Sequence, residues 1–379
     1  MTENKKLTVL QLVPALESGG VERGTLEVAQ ALVEHGHRAL VMSAGGRLVA
    51  PLDQCGAEHH TWPIGTKSFS TLRLVGKLRK FLLEQKVDIV HARSRVPAWI
   101  AWLAWRRMNP ATRPRFVTTV HGMYGVNRYS RIMTQGERVI AVSNTVRDYI
   151  LREYPDTPAD RIQVIHRGVD EQAYPYGWKP DLVWQQAFFA QFPQAADTLL
   201  LTLPGRITRL KGHEDFIELI ARLKRRGLPV HGLIVGGATA SKQRYLQKLR
   251  YRVRSMGMAA DISFTGQRDD LKNILAISSL VLSLSTQPES FGRTTLEALR
   301  LGVPTAGYGH GGVGEILRTI YPAGLLPLGR IDDACQRIAQ LLQQPEPVPA
   351  GAFFPLQAML DQTLGLYAEL AQSPVRTVR

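Results

Sequence analysis

Short apolar runs alternate along this chain with segments of helical spacing, and turns bearing Gly, Pro or small polar residues separate them. In the first half the runs are 7–13, 38–43, 88–91, 115–120 and the stretches opening at Arg138 and Arg161. Continuous apolar runs this short, bounded by turn residues, read as strands buried on both faces. The spacing between them predicts helices over 25–34, 48–55 and 72–85, one opened by Pro97, and one running from a cap at Ser143 through Arg152. The second half repeats the order, with strands at 198–203, 230–235, from Ile262, 280–284 and 305–308. Its helices are expected at 214–226, 242–257, 271–279, from about Gly292, at 331–343 and at 355–370. Strand and helix in alternation make parallel sheets, so the fold class is α/β, with two Rossmann-like doubly wound domains. Residues 173–197, rich in Pro, Tyr, Trp and Gln, show one helix at 182–192 and read as a connection. The expected domains are 1–172 and 198–354, followed by a terminal helical segment, 355–379.

At 379 residues, 44% hydrophobic and 21% charged, the chain has enough apolar material for two cores. Cys55 and Cys335 stand far apart, which gives neither a disulfide framework nor a thiolate metal site. The first residues lack a signal-peptide pattern, and no apolar run reaches the roughly 18 residues of a spanning helix, so a cytoplasmic location is expected.

The formal net charge is +15, and between Lys67 and Arg115 twelve Lys and Arg face only Glu84 and Asp88, an excess of ten and so two thirds of the total. Such a segment suits anionic lipid or nucleic acid. Within it Trp99, Trp102 and Trp105 recur at three-residue intervals with Arg106 and Arg107 behind them. That spacing is read as placing the indoles along one side of a helix, either packed on the sheet or facing a membrane at headgroup level.

Candidate chemistry gathers at the strand ends, where open parallel sheets bind ligands. The richest stretch begins at Val281. Its strand delivers Glu289 to the carboxyl end, and the helix opening near Gly292 carries Glu297 about a turn inside. The N–H groups around Arg293 to Thr295 make an anion site, and acceptor-only carboxylates on either side suit the hydroxyls flanking a diphosphate. That combination describes a nucleotide-sugar. Arg206 and Lys211 bracket a turn before the 214–226 helix, where two cations can neutralise a diphosphate and stabilise charge on a leaving group. In the first half, Gly19 and Gly20 permit either a close backbone approach to a ligand or simply a tight turn. His121 ends a strand beside Gly122, a place equally suited to a polar substrate and to a structural role, and Arg93 and Arg95 at another strand end suit an anionic acceptor. Gly309, Gly311 and Gly314 satisfy the dinucleotide spacing, with Asp332 near the ribose-binding distance. Asp332 opens a helix instead of ending a strand, however, and the motif stands late in the chain, so an NAD enzyme ranks third.

The run from Val281 to Pro304, with Arg206, Lys211 and the glycine loop to Glu315, resembles the signature of retaining glycosyltransferases of the GT-B fold, family 4 type. That group includes transferases of bacterial lipopolysaccharide and cell-surface glycans. The resemblance covers nearly the whole chain and is strongest from Arg206 to Glu315. It implies two Rossmann-like domains facing a cleft, with the C-terminal helix crossing back to the first domain. The implied reaction moves a sugar from a nucleoside diphosphate, UDP ahead of GDP, to a hydroxyl with retention of configuration. Arg206 and Lys211 would then hold the diphosphate, Glu297 the ribose and Glu289 the donor sugar. Gly266 and Arg268 would line the base through backbone groups, while Ser290, Phe291, Gly292 and Thr294 complete the donor loop. Gly19, Gly20 and His121 would face the donor from the first domain. The implied catalytic set is His121, Glu289, Arg206 and Lys211, with no separate nucleophile required. His166 and Arg167 depart from the Pro-Asn more usual at the family's hinge. No Asp-x-Asp sequence is present, so a metal-independent enzyme without a cofactor is expected.

The basic segment and the tryptophans add a partner to this reading. They suggest a glycan or glycolipid acceptor, a lipopolysaccharide core or lipid-linked saccharide, met on the anionic inner-membrane surface by a peripheral protein on its cytoplasmic face, with no nucleic acid bound. The competing class is a catalytically silent basic docking protein for membrane or nucleic acid. Turnover that depends on Glu289 separates the two.

Overall fold

The computed structural model describes residues 5–17 and 19–373; Ser18 in the first glycine turn and 374–379 of the terminal segment lie outside the described residues. The chain forms two compact units, Met1–Arg167 with Gln357–Arg379, and Gly168–Leu356.

The first unit contains β1 (Thr8–Leu12), α1 (Gly20–Glu34), β2 (Arg38–Ser43), α2 (Val49–Gln54), β3 (Glu58–Thr61), α3 (Leu74–Glu84), β4 (Ile89–Ala92), α4 (Arg95–Trp105), β5 (Arg115–Val120), β6 (Arg138–Ala141), α5 (Asn144–Glu153) and β7 (Ile162–Val164). Its strands form one parallel sheet in the order β3-β2-β1-β4-β5-β6-β7. β4 and β5 are buried at every position, which is why they read as unbroken apolar runs. β3 gave no such signal. Its sequence, Glu-His-His-Thr, is recruited by pairing with β2 at the sheet edge, where an ion pair from Arg38 to Glu58 at 2.6 Å supports it. α1 starts at Gly20, not near Thr25, so the two glycines form the cap and first helical residue instead of a loop ahead of the helix. Ser143 caps α5 as expected, accepting from the Val146 N–H at 3.1 Å.

The second unit contains α6 (Leu182–Gln191), β8 (Leu199–Pro204), α7 (His213–Arg225), β9 (Val230–Val235), α8 (Gln243–Ser255), β10 (Ile262–Gly266), α9 (Leu271–Ile277), β11 (Leu280–Ser283), α10 (Arg293–Arg300), β12 (Thr305–Tyr308), α11 (Gly311–Ile320), β13 (Leu325–Leu326) and α12 (Ile331–Gln343). Its parallel sheet has the order β10-β9-β8-β11-β12-β13. The two-residue strand β13 is too short to carry a sequence signal. Residues 173–197, expected as a connection, are packed into this unit. Phe188 and Phe192 lie in a core with Leu200, Leu233, Val235 and Ile274, and Tyr174 and Trp178 cover a neighbouring cluster around Val281 and Ala298.

The last helix, α13 (Leu356–Gln372), belongs almost wholly to the first unit. Buried Tyr367 shares a 2.6 Å hydrogen bond with His91 Nδ1 on β4. Arg115 donates to the carbonyls of Leu370 and Ser373 at 2.8 and 2.7 Å, placing a cation on the helix's last turn. None of the described helices is long and apolar enough to cross a membrane.

Candidate active site

In the second unit the carboxyl ends of β8, β11 and β12 carry three loops, and their backbones touch. Gly212 has φ +69°, and a Cβ there would meet the Leu284 carbonyl oxygen at 1.9 Å. Gly236, in the loop after β9, would meet the Gly205 oxygen equally closely, Gly312 would meet the backbone of Phe291 at 2.3 Å, and Gly292, at φ +102°, would meet the Val313 side chain at 2.6 Å. Only glycine permits these approaches. Backbone hydrogen bonds complete the stitching, from Thr286 N–H to Leu210 O at 2.9 Å and from Gly312 N–H to Glu289 O at 2.8 Å.

This stitching brings Lys211 to Glu289, 78 positions apart, with Nζ donating to Oε1 at 2.8 Å. Ser285 Oγ donates to the same oxygen, and His310 Nε2 holds Ser285 in turn through its carbonyl at 2.7 Å. Burial pushes the Glu289 carboxyl upward, but Lys211, Ser285 and His310 outweigh it and hold the pKa below the ordinary carboxylate value. Glu289 is therefore an ionised acceptor at neutral pH. Nearby, Gly292, which has no side chain to cap the helix, stands at the N-cap of α10, and Glu297 is buried inside with an ion pair from Arg293 at 3.1 Å. Arg206 is exposed at the mouth of its turn. Ser290 and Thr294 are partly exposed there as well. Tyr308 OH donates to Asp215 at 2.5 Å, tying the end of β12 to the first turn of α7.

Two expected donor residues turn their side chains into the protein, which leaves the backbone role expected of Arg268 untouched. Phe291 is buried, with its ring edge-on to Phe354 at 5.8 Å, so its side chain belongs to the core. Arg268 is engaged by both oxygens of Asp270, at 2.8 and 2.6 Å, and by Gln191, so its guanidinium is committed to the protein; Gly266 just before it has φ +73° and open space around the position of a Cβ.

In the first unit a buried polar cluster underlies the start of α1. Arg167 donates to Gly20 O at 2.7 Å, and a Cβ at Gly24 would collide with its guanidinium. Arg93 is buried and donates to Gln11 and to Gly24 O at 3.0 Å, which removes it from an acceptor-binding role; its strand position exposed it in sequence terms, whereas α1 covers it in the fold. Arg95 lies over the rings of Tyr124 and Tyr129, at 4.6 and 5.2 Å, and bonds Ser130, so it fixes the 122–130 loop. Both ring nitrogens of His121 are buried and make no hydrogen bond among the described residues. Burial first, then the charges of Arg167, Arg93 and His91, hold this imidazole well below its ordinary pKa and keep it neutral.

The tryptophans do not form one stripe. Each step of three residues turns about 60° short of a full helical revolution, so the outer two differ by roughly 120°. Trp105 points into the core, 4% exposed, with its indole N–H on Pro114 O at 2.7 Å and Arg113 stacked on it. Trp99 and Trp102 are half-buried, packed edge to face at 5.6 Å, with Trp99 bonded to Tyr129 O and exposed Arg106 over Trp102. Arg107 is exposed.

Residues 18–173 match the family profile described as Glycosyltransferase Family 4, and residues 185–350 match Glycosyl transferases group 1. The chain is a GT-B glycosyltransferase. It is 24% identical, over 88% of its own length and 86% of the relative's, to N-acetyl-alpha-D-glucosaminyl L-malate synthase of Bacillus anthracis. It is 26% identical to D-inositol 3-phosphate glycosyltransferase of Rhodococcus opacus, over 68% of this chain and 60% of that protein. Among solved structures, a glycosyltransferase from Rickettsia africae superposes with a TM-score of 0.82 at 28% identity, covering 97% of this chain and 99% of the other. Anabaena Alr3699/HepE in complex with UDP and glucose superposes at 0.80 with 21% identity, over 96% and 100% of the chains.

In this glycosyltransferase the glycine fingerprint serves packing. Gly311, with φ +62°, and Gly312 bring the start of α11 against the Glu289 loop. Asp332 lies in the first turn of α12, exposed and bonded to Arg222, and ends no strand as a ribose-binding acid would. Sequence reasoning passed over Ser285, His310 and Asp215. The first precedes Glu289 by four residues in the same loop, and the second stands inside the glycine run; those placements were the only signals available.

Proposed function

We propose that this glycosyltransferase transfers a sugar from a nucleoside diphosphate donor, UDP ahead of GDP, to a hydroxyl with retention of configuration and without a metal. The observation that carries the donor reading is the Lys211–Glu289 pair beside the glycine-capped start of α10. Lys211, exposed Arg206 and the α10 amides supply positive potential for a diphosphate, and ionised Glu289 accepts hydroxyls of the sugar while the Glu297 carboxyl accepts those of the ribose. The UDP bound by the Anabaena neighbour agrees with this. As a carboxylate held ionised by two donors on one oxygen, Glu289 is suited to accepting hydrogen bonds and not to donating a proton. Charge on the departing diphosphate is stabilised by Arg206 and Lys211. His121, neutral and with neither ring nitrogen hydrogen-bonded among the described residues, is assigned to a polar group of the substrate.

For the acceptor we favour a membrane-associated glycan, in keeping with the basic first unit and a peripheral location. A small anionic acceptor is the second reading, favoured by relatives named for malate and inositol phosphate. Thermal shift with UDP and GDP tests the donor, because a ligand bound only by the folded state raises its midpoint. Stabilisation by neither nucleotide sinks the donor assignment, and an inverted anomeric proton signal in the product sinks retention.

A further inference from the structure

Phe69 is the most exposed of the large apolar side chains in the described residues, at 92%. It stands on a 3-10 turn, Phe69–Arg73, that leads directly into α3. The turn is held firmly. Buried Thr71 donates its hydroxyl to Thr66 O at 2.8 Å, Ser68 Oγ accepts from Ser70 N–H at 3.2 Å, and Thr71 N–H reaches Ser68 O at 3.1 Å. A phenylalanine projected into water on so well-tied a turn exposes apolar area that folding alone would bury.

The surroundings name a partner. Leu72, 50% exposed on the same turn, adds to this apolar surface, and Leu83, 55% exposed, stands near the far end of α3, while Val75, Leu78 and Leu82 fill its buried face. Lys67 flanks the turn, and Arg73, Lys77 and Lys80 follow at helical spacing, all exposed. From Trp62 to Leu83 the sequence has no acidic residue, and Glu84, the first one after it, pairs with Lys80 at 3.5 Å. Exposed Phe and Leu ringed by cations match a bilayer whose surface is anionic and whose interior is apolar. A protein partner would have to offer both chemistries on one face.

We infer that the turn at Phe69 and the exposed face of α3 form the surface by which this protein docks on an anionic lipid bilayer. Phe69 and Leu72 enter the headgroup boundary, and Lys67, Arg73, Lys77 and Lys80 lie on the lipid phosphates. This places membrane contact on α3 and its turn, away from the α4 tryptophans, two of which spend their indole N–H groups inside the protein. The inference rests on the membrane-acceptor reading above.

Co-sedimentation of the full chain with vesicles of equal phosphatidylglycerol and phosphatidylcholine tests it. Binding is expected to the mixed vesicles, to weaken with salt, and to be absent from pure phosphatidylcholine. Phe69→Ala should weaken it roughly ten- to a hundredfold, from the transfer energy of a phenyl ring. Lys77→Glu with Lys80→Glu should abolish it, while UDP-induced thermal shifts stay at the wild-type value in both variants. Wild-type binding by Phe69→Ala, or no binding by the native chain, overturns the docking surface, whereas a native chain that neither UDP nor GDP stabilises overturns the donor reading instead. A fall in oligomeric state with Phe69→Ala in sedimentation velocity would assign the patch to a second copy of the chain and also overturn the proposal.

Discussion

Lys211 donates to Glu289 at 2.8 Å across 78 positions of sequence, joining the turn after β8 to the loop after β11. With 31% and 23% of the two side chains exposed, the pair adds little stability. Its consequence is functional. Lys211→Ala is expected to lower kcat/KM by about 10²–10³, the usual loss of one preorganised donor, and Glu289→Gln to reduce turnover with little change in melting temperature. Steady-state kinetics with a matched thermal melt checks both. Full activity in Glu289→Gln would remove the residue from the reaction.

Gly312 decides whether the glycine run packs a loop or binds a dinucleotide. Its missing Cβ leaves room for the Phe291 backbone at 2.3 Å, which cannot yield as a flexible side chain would. Gly312→Ala should cost about 1–3 kcal/mol of stability and weaken UDP stabilisation together. A variant as stable as wild type that had lost only nicotinamide binding would support the dinucleotide reading.

Trp105 and Phe69 should behave oppositely on truncation. Trp105→Ala removes a buried indole and its hydrogen bond to Pro114, at an expected cost of about 3–5 kcal/mol. Phe69→Ala should change urea stability by less than about 0.5 kcal/mol. Equal losses would mean that Phe69 is not exposed in solution.

Acid should unfold this protein partly through buried neutral histidines. Burial lowers His231 and His213 from the ordinary 6.5 to about 4. Between those values the unfolded chain takes up a proton that the folded chain refuses, so stability falls as pH drops through that window. The slope reaches about 1.4 kcal/mol per pH unit for each group. His231→Asn should flatten the slope measured by urea unfolding between neutral pH and about pH 5. An unchanged slope would locate the acid sensitivity elsewhere.

The strands most legible in sequence, β4 and β5 among them, were those buried on both faces, because burial on two sides leaves an uninterrupted apolar run. β3 escaped since an edge strand of Glu, His and Thr is held by its neighbour's backbone, and the packing of residues 173–197 escaped because Phe188 and Phe192 find their core against β8, β9 and α9. The α4 tryptophans misled for a related reason. Spacing fixes angles around one helix and says nothing of which angle meets the sheet.

Local chemistry was thus set by the sequence: two runs of alternating strand and helix, carboxylates and cations at strand ends, glycines where chains must touch, and an excess of positive charge in one segment. Tertiary structure alone decided which of those groups meet. It buried Arg93 under α1, committed Arg268 to Asp270, set Ser285 and His310 behind Glu289, and left Phe69 in water. A side chain's partners depend on loops brought together from distant strands, and the approach of those loops is governed by backbone contacts that no local pattern encodes.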